Sequence, residues 1–375
     1  MRRFANHPNL LVALALLLAP LLWFAPVVIG GKTLLPADNL YQFQPWAALA
    51  TEQGAATPHN ELLSDLVLEN LVWKTFLRQT LAQGELPLWN PNIFTGVPFL
   101  AAGQHSALYP LSLVFYLLPL PLAYGVFTWL QLALAGWAMY LFGRALRLGR
   151  AASLFAGLAF AFSGFMVVSV VFTMIIAAAA WLPVVLACIE TIFRKQEEKG
   201  DAAYSPIPYV VGGALALGVQ ALAGHPEITV ITLLTAGFYT LARLLMSWRR
   251  LGSVGRPLRL AGWLLAMVAL GLALGGVQLV PLFELVNTSF RQGSASFSEV
   301  VGWAWPTRQI VTFLLPDFFG NPSQHGWWDP ALRAWRTAGP NAAGQPVRDV
   351  FWGVKNYVEG GNYLGVITLV LAAMA

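Results

Sequence analysis

The feature that most constrains this chain is its run of long stretches without a single Asp, Glu, Lys or Arg. Several approach the roughly 20 residues that a helix needs to cross a bilayer. Only 10% of the residues are charged and 57% are hydrophobic, whereas a soluble domain carries about a quarter charged residues. The chain therefore reads as a polytopic membrane protein. Apolar spans are expected at about 10–29, 121–143, 151–170, 172–193, 206–224, 226–246 and 260–283. An eighth begins near Tyr363, and the chain ends within it, as a fragment of a longer protein would.

The basic residues orient these spans. Arg144, Arg147 and Arg150 form one cluster, and Arg194, Lys195 and Lys199 a second. Arg243, Arg249, Arg250, Arg256 and Arg259 form a third. Short cytoplasmic loops retain Lys and Arg, so all three are expected inside. The net charge of +5 is accounted for by these flanks, with no basic, aromatic-interleaved patch for nucleic acid. The first apolar run follows Met1-Arg2-Arg3 and is longer than the roughly 7–15 residues of a signal-peptide core. It reads as a retained helix with a cytoplasmic N-terminus. The only cysteine, Cys188, lies in an apolar span, so no disulfide framework or cysteine metal site is available.

This topology leaves two long extracytoplasmic loops, 30–120 and 284–362, within one transmembrane domain over 1–375. The apolar segment Leu108–Leu120 must then enter without crossing, and Pro110, Pro119 and Pro121 suit a short element. Residues 60–83 read as an amphipathic helix stopped by Gly84. Leu62, Leu66, Trp73, Phe76 and Leu77 share one side; Glu61, Ser64, Asp65, Thr75 and Gln79 share another. Such a helix lies along the membrane surface or packs on its own loop. The cores of the spans hold Gln131, Gln220 and Gln278, with Glu190, Glu227 and Glu284 expected at helix ends. An ion-coupled transporter usually keeps an ionisable group near the midplane, so this pattern weakens that reading.

Candidate chemistry concentrates in the outer loops. Asp38 is the first acid in the chain, just beyond the first apolar run. It can act as general base, hold a divalent metal such as Mg or Mn, or cap the following turn. Trp89 and Asn90 sit among Gly and Pro turn residues and can stack on and hydrogen-bond a sugar, or order the loop. Gln104 and His105 follow at the entry to the short apolar segment. The turn Gly224-His225-Pro226-Glu227 presents an imidazole and a carboxylate, or simply starts a helix. The histidine spacing matches no zinc pattern. Arg291 can clamp a phosphate or anchor the loop at the interface.

Together these residues carry a resemblance. Asp38-x-x-Tyr41-Gln42-x-x-Pro45, Leu86-Pro-Leu-Trp-Asn90 with Gly96-x-Pro98, and Tyr109-Pro110 come first. Gln278-Leu-Val-Pro281, Ser289-x-Arg291 and Leu315-Pro-Asp-Phe-Phe-Gly320 follow in order. The set resembles the N-terminal part of the YfhO-type family of bacterial membrane proteins, which are similar to GT-C glycosyltransferases. The resemblance implies a GT-C-like all-α helix bundle in the bacterial cytoplasmic membrane, in contact with membrane lipids. It implies transfer of a sugar from a polyprenyl-phosphate donor to an extracytoplasmic acceptor in the cell envelope. Asp38 matches the catalytic acid of the first outer loop. The paired acidic motif of the wider superfamily is absent, since Asn39 follows Asp38; a divalent metal stays an alternative. Tyr41, Gln42, Trp89, Asn90, Gln104, His105, His225, Glu227 and Arg291 are the candidate substrate-binding residues. The rival readings are a transporter or flippase of a lipid-linked saccharide and a non-catalytic assembly protein.

Overall fold

A computed structural model describes residues 8–55, 63–199, 204–251, 255–289, 293, 295–302, 304–321, 326–329, 331–337, 357–360 and 362–374. In chain order the helices are α1 (Pro8–Trp23), α2 (Ala25–Val28), α3 (Leu71–Ala82), α4 (Leu113–Leu117), α5 (Leu120–Ala145) and α6 (Arg150–Ala161). Next come α7 (Gly164–Val168), α8 (Thr173–Ala179), α9 (Leu182–Lys199), α10 (Ile207–Leu222) and α11 (Pro226–Leu251). The last are α12 (Gly255–Leu274), α13 (Gly276–Thr288), α14 (Phe297–Gly302), α15 (Tyr357–Gly360) and α16 (Val366–Met374). The described strands form two hairpins, Trp89–Asn90 with Val97–Pro98 and Gly326–Asp329 with Ala334–Thr337.

Among the described residues five helices are long and apolar enough to cross a membrane: Leu120–Ala145, Arg150–Val168, Thr173–Glu198, Pro226–Arg250 and Pro257–Leu274. Asn9–Trp23 and Ile207–Leu222 are apolar but shorter. Helices that are apolar on every face need a membrane or a protein core around them. The chain is an all-α membrane protein.

Several expected spans are interrupted. The first stops at Trp23 and restarts as α2. The run expected at 260–283 divides at Gly275 into α12 and α13. Pro20 lies inside α1 and Pro281 inside α13, where each removes a helical hydrogen bond. The segment Leu108–Leu120 is short: a 3-10 turn at Pro110–Ser112 and the five-residue α4. The helix expected over 60–83 is found from Leu63 on and ends at Gly84, whose φ is +77°. Leu66, Phe76 and Leu77 are buried and Asp65 and Gln79 exposed, while Glu61 and Leu62 lie outside the described residues.

The chain forms two compact units. Unit 1 comprises 1–32, 74–161 and 172–292 and holds the helix bundle. Within it α5 and α6 approach through small residues. A Cβ at Gly157 would come within 2.6 Å of Gly136 O, and one at Gly143 within 2.9 Å of Ser153 Oγ. Without a hydrophobic drive between helices in lipid, such close backbone contact is what holds them. The α10–α12 pair is equally tight: a Cβ at Gly218 would lie 2.7 Å from Leu274. On α1, Leu17 O accepts the Trp129 indole N–H of α5 at 2.8 Å.

The three basic clusters meet at one end of this unit. Arg243 pairs with Glu190 at 3.0 Å and Glu197 at 3.2 Å, and Arg250 reaches Glu197 at 3.8 Å. Arg194 lies 3.7 Å from Glu198, which also receives Arg147. The ends of α5, α9 and α11 are thereby tied together. Glu190 corrects one expectation. It is not at a helix end but inside α9, only 6% exposed, and accepts the Tyr239 hydroxyl at 2.7 Å. The helix runs on past it because these cations and anions neutralise one another across helices, as charges held among spans must.

Unit 2 comprises 33–73, 162–171 and 293–375. Its described framework is mostly turns. Thr312 Oγ1 donates to Gly360 O at 3.1 Å, Leu364 N to Phe313 O at 3.3 Å and Gly164 N to Tyr363 O at 3.1 Å.

Candidate functional site

Unit 1 brings several of the sequence candidates together at the end opposite the basic clusters. Helix α11 has 26 residues, so its Pro226 end lies about 39 Å from its arginine end at about 1.5 Å per residue. Three backbone segments converge there: the loop 99–107, the turn 223–227 and the start of α13. Gly103 and Gly224 both have φ of +80° and touch so closely that a Cβ at Gly224 would overlap Gly103 O. Gln278 Nε2 donates to Leu100 O at 3.0 Å and Ala101 O at 3.2 Å, and Ser106 Oγ donates to Ala223 O at 2.7 Å. This junction sets Gln104 and His105 beside His225 and Glu227.

Of these, Gln104 and Glu227 are exposed and His105 is 1% exposed. Ala107 N–H donates to His105 Nδ1 at 3.0 Å, so Nε2 carries the proton and donates to Phe99 O at 2.9 Å. The ring stacks on Phe99 at 4.4 Å. Burial, and then the neighbouring Lys74 ammonium, push its pKa down to about 4. His105 thus acts as a neutral staple within its own loop. His225 Nδ1 lies 3.3 Å from Ile228 N and 3.2 Å from Glu227 Oε2. The neutral ring accepts the Ile228 N–H and caps α11, and protonation would turn the same nitrogen toward Glu227. Burial favours the neutral ring, opposed by Glu227.

Behind this surface lies a polar interior that sequence reasoning passed over. Lys74, on α3, is fully buried, with no carboxylate within ion-pair distance among the described residues. Its Nζ donates to His105 O at 2.5 Å and sits 4.3 Å from the centre of the Phe115 ring. Burial pushes its pKa down to about 7. Helix α3 is not among the helices long and apolar enough to cross a membrane. Groups perturbed in this way concentrate at functional sites. A signal for it exists: Val67, Asn70, Lys74 and Leu77 recur at helical spacing, which places two polar residues on the apolar stripe. Deeper still, Tyr109 donates its hydroxyl to Gln131 Oε1 at 3.1 Å and accepts from Trp181 Nε1 at 3.1 Å. Burial raises its pKa to about 12.

Trp89 and Asn90 form the first strand of the small hairpin. Trp89 is 54% exposed and covers Gly96, where a Cβ would overlap the indole. Asn90 is 1% exposed and its Oδ1 accepts Asn92 N–H at 3.0 Å, closing the turn. The exposed indole remains a stacking face, while the amide is committed to the loop.

In unit 2, Asp38 lies on the 3-10 turn Ala37–Gln42, which follows closely on the first apolar helix. It is exposed, and its carboxylate has no hydrogen bond or ion pair among the described residues. Asn39 is buried and accepts Gln42 Nε2 at 3.2 Å, so Asn39 anchors the turn and Asp38 is presented outward. Tyr41 is partly buried beside it. In the same unit Asp317 Oδ1 accepts the Tyr357 hydroxyl at 2.7 Å and Asn321 Nδ2 at 3.0 Å, which explains its place in the Leu315–Gly320 motif. Arg291 lies outside the described residues. No group of three or more His, Cys, Asp or Glu close enough to hold a metal occurs among the described residues.

No curated protein and no solved structure matches the chain. Residues 62–200, which carry Lys74, the Trp89–Pro98 hairpin, His105 and Tyr109 and reach to the end of α9, match the model of the bacterial membrane protein YfhO family, and this bears out the family resemblance read from the sequence.

Proposed function

We propose that the protein is a membrane glycosyltransferase that moves a sugar from a polyprenyl-phosphate donor to an acceptor on the extracytoplasmic side. The observation that carries this reading is the exposed carboxylate of Asp38, without a hydrogen bond or ion pair among the described residues, set on the 3-10 turn Ala37–Gln42 that follows the first apolar run in the chain. An acceptor hydroxyl or amine needs a base within hydrogen-bond reach, and a carboxylate not spent on an internal ion pair can serve. On this reading Asp38 draws the proton from the acceptor as the acceptor oxygen or nitrogen bonds to the anomeric carbon. The bond from that carbon to the donor phosphate breaks, and the phosphate leaves with the electron pair.

Tyr41 and Gln42 lie on the same turn and help to place the acceptor. Within unit 1, taken by itself, Trp89 offers a sugar-stacking face, and Gln104, His225 and Glu227 offer polar contacts at their junction. Arg291 takes the donor phosphate. In the alternative to its role as base, Asp38 would hold a divalent metal, Mg or Mn, which would supply charge neutralisation for the phosphate; the described residues bring no cluster of further acids or histidines to it. The gathering of Arg147, Arg194, Arg243 and Arg250 at one end of unit 1, with the candidate junction at the other, supports an orientation with the arginines in the cytoplasm and that junction outside. It supports placement in the bacterial inner membrane with a cytoplasmic N-terminus.

The reading is tested with the full-length protein in liposomes loaded with polyprenyl-phosphate sugars and an acceptor pool. A new glycosidic bond, with release of polyprenyl phosphate, is the expected result. Movement of the intact lipid-linked sugar across the bilayer without a new bond would replace transfer by transport.

A further inference from the structure

In unit 1 the segment that carries the Trp89–Asn90 and Val97–Pro98 hairpin is pinned on both sides to the ends of helices of the bundle. Before the hairpin, Arg78 of α3 donates to Leu118 O at 2.8 Å, two residues ahead of α5. After it, Gln278 holds Leu100 O and Ala101 O where α13 continues α12. The other ends of α5 and α12 carry Arg144 and Arg259, so both pins lie away from the basic clusters. At the root, Phe99 N–H donates to Leu88 O at 2.8 Å. At about 3.3 Å per residue, Phe94 stands no more than about 17 Å from Phe99. The headgroup layer on one side of a bilayer is about 5–8 Å thick and begins where the spans end. The hairpin is within its reach.

Its surface is apolar where a loop in water would be charged. Leu86 is 70% exposed, Leu88 58% and Phe94 89%. From Leu86 to Gly143 the chain holds no Asp, Glu, Lys or Arg. Phe94 has a φ of +48°, followed by Thr95 at +64° and Gly96 at +118°. A left-handed backbone is rare for so bulky a side chain. The turn is closed by its own main chain, Gly96 N–H donating to Ile93 O at 2.8 Å, and it presents Phe94 away from the protein. Exposed apolar groups gathered in this way mark a contact surface.

We infer that the hairpin is an interfacial wedge: Leu86, Leu88 and Phe94 enter the boundary between headgroups and acyl chains of the leaflet at this end of unit 1, and so fix the height of the loop 99–107. The residues favour lipid over a protein partner. The hairpin has no charge with which to orient a partner. Leucine and aromatic side chains among uncharged polar ones, joined directly to span ends, suit the membrane boundary. With no cation in the wedge, its insertion is indifferent to headgroup charge. Trp89 is not needed for it, and the inference does not depend on the transfer reading.

The test is site-directed spin labelling of the full chain in phosphatidylcholine liposomes. Cys188, the only cysteine, is replaced by Ala, and a nitroxide is attached through Thr95→Cys, beside Phe94. The label should collide with oxygen, which concentrates in the bilayer, more often than with a water-soluble nickel chelate. Adding Phe94→Asp with Leu88→Asp should raise the nickel collisions at least threefold while the unfolding midpoint in SDS is kept. Exchanging half of the lipid for phosphatidylglycerol should leave the collision ratio unchanged. Nickel collisions outnumbering oxygen collisions before the aspartates are added would overturn the inference and leave the hairpin to water or to a protein partner. A ratio that follows the phosphatidylglycerol content, or one that the two aspartates do not move, would overturn it as well.

Discussion

Replacing Lys74 by Met tests how α3 holds the loop 99–107 of unit 1. In the folded chain burial lowers the Lys74 pKa from the ordinary 10.5 to about 7. Between those values the unfolded chain binds the proton and the folded chain does not. Stability therefore rises with pH across that window, and the deficit is full below it. At about 1.4 kcal/mol per tenfold change in proton affinity, the deficit at pH 7 is roughly 4 kcal/mol. Methionine removes it but leaves His105 O without its donor, which costs about 1–3 kcal/mol. The variant should be more stable than wild type by about 1–3 kcal/mol at pH 7. Between pH 7 and 9 wild type should gain roughly 2 kcal/mol that Lys74→Met does not gain. Reversible unfolding in mixed micelles of rising SDS fraction, followed by tryptophan fluorescence at both pH values, reads the difference. Parallel pH dependence in the two proteins, or a variant weaker than wild type at pH 7, would refute the reasoning.

Three further outcomes follow from the same contacts. Gly224→Ala forces a Cβ onto Gly103 O at a φ of +80°. It should cost at least about 2 kcal/mol in the same unfolding assay and lower activity through the Gln104–His225 junction. Glu190→Gln removes the closest anion of Arg243, which keeps Glu197 at 3.2 Å, and should destabilise by about 1–3 kcal/mol, whereas Glu190→Met combined with Arg243→Met should recover most of that loss. Tyr109→Phe removes the donor to Gln131 and the acceptor for Trp181, and should cost about 1–3 kcal/mol with little change in trypsin sensitivity of the outer loops.

Much of the architecture was legible because the membrane imposes a simple rule. Runs without charge become helices, so the extents of α5, α10 and α11 follow closely from the sequence. The shortness of Leu108–Leu120 also followed, from its bracketing prolines. Breaks within runs were less visible. Gly275 divides an expected span because α10 packs so tightly there that a Cβ would lie 2.6 Å from Ala221, a tertiary fact with no local signature. Glu190 was misplaced for a related reason: its partner Arg243 is far away in sequence, and only their pairing allows the charge to lie inside α9. The His225–Glu227 turn was legible as a polar turn. Its meeting with Gln104 through two glycines was not. Lys74 was hidden among residues that otherwise alternate as an amphipathic helix should, and only Asn70 one turn earlier marks the stripe as polar within. Asn90 looked like a ligand contact because turn-closing and sugar-binding amides are identical in sequence.

The central claim is that Asp38 is the base of a glycosyl transfer, and one comparison addresses it most directly. Wild type and Asp38→Asn, each full length and shown to be folded by its SDS unfolding midpoint, are given the same polyprenyl-phosphate sugar and acceptor in liposomes. Binding of the donor is measured alongside product formation. The account predicts that Asp38→Asn binds donor within about twofold of wild type but forms product at least 100-fold more slowly, the scale of a lost general base. Product formation by Asp38→Asn at the wild-type rate would contradict it.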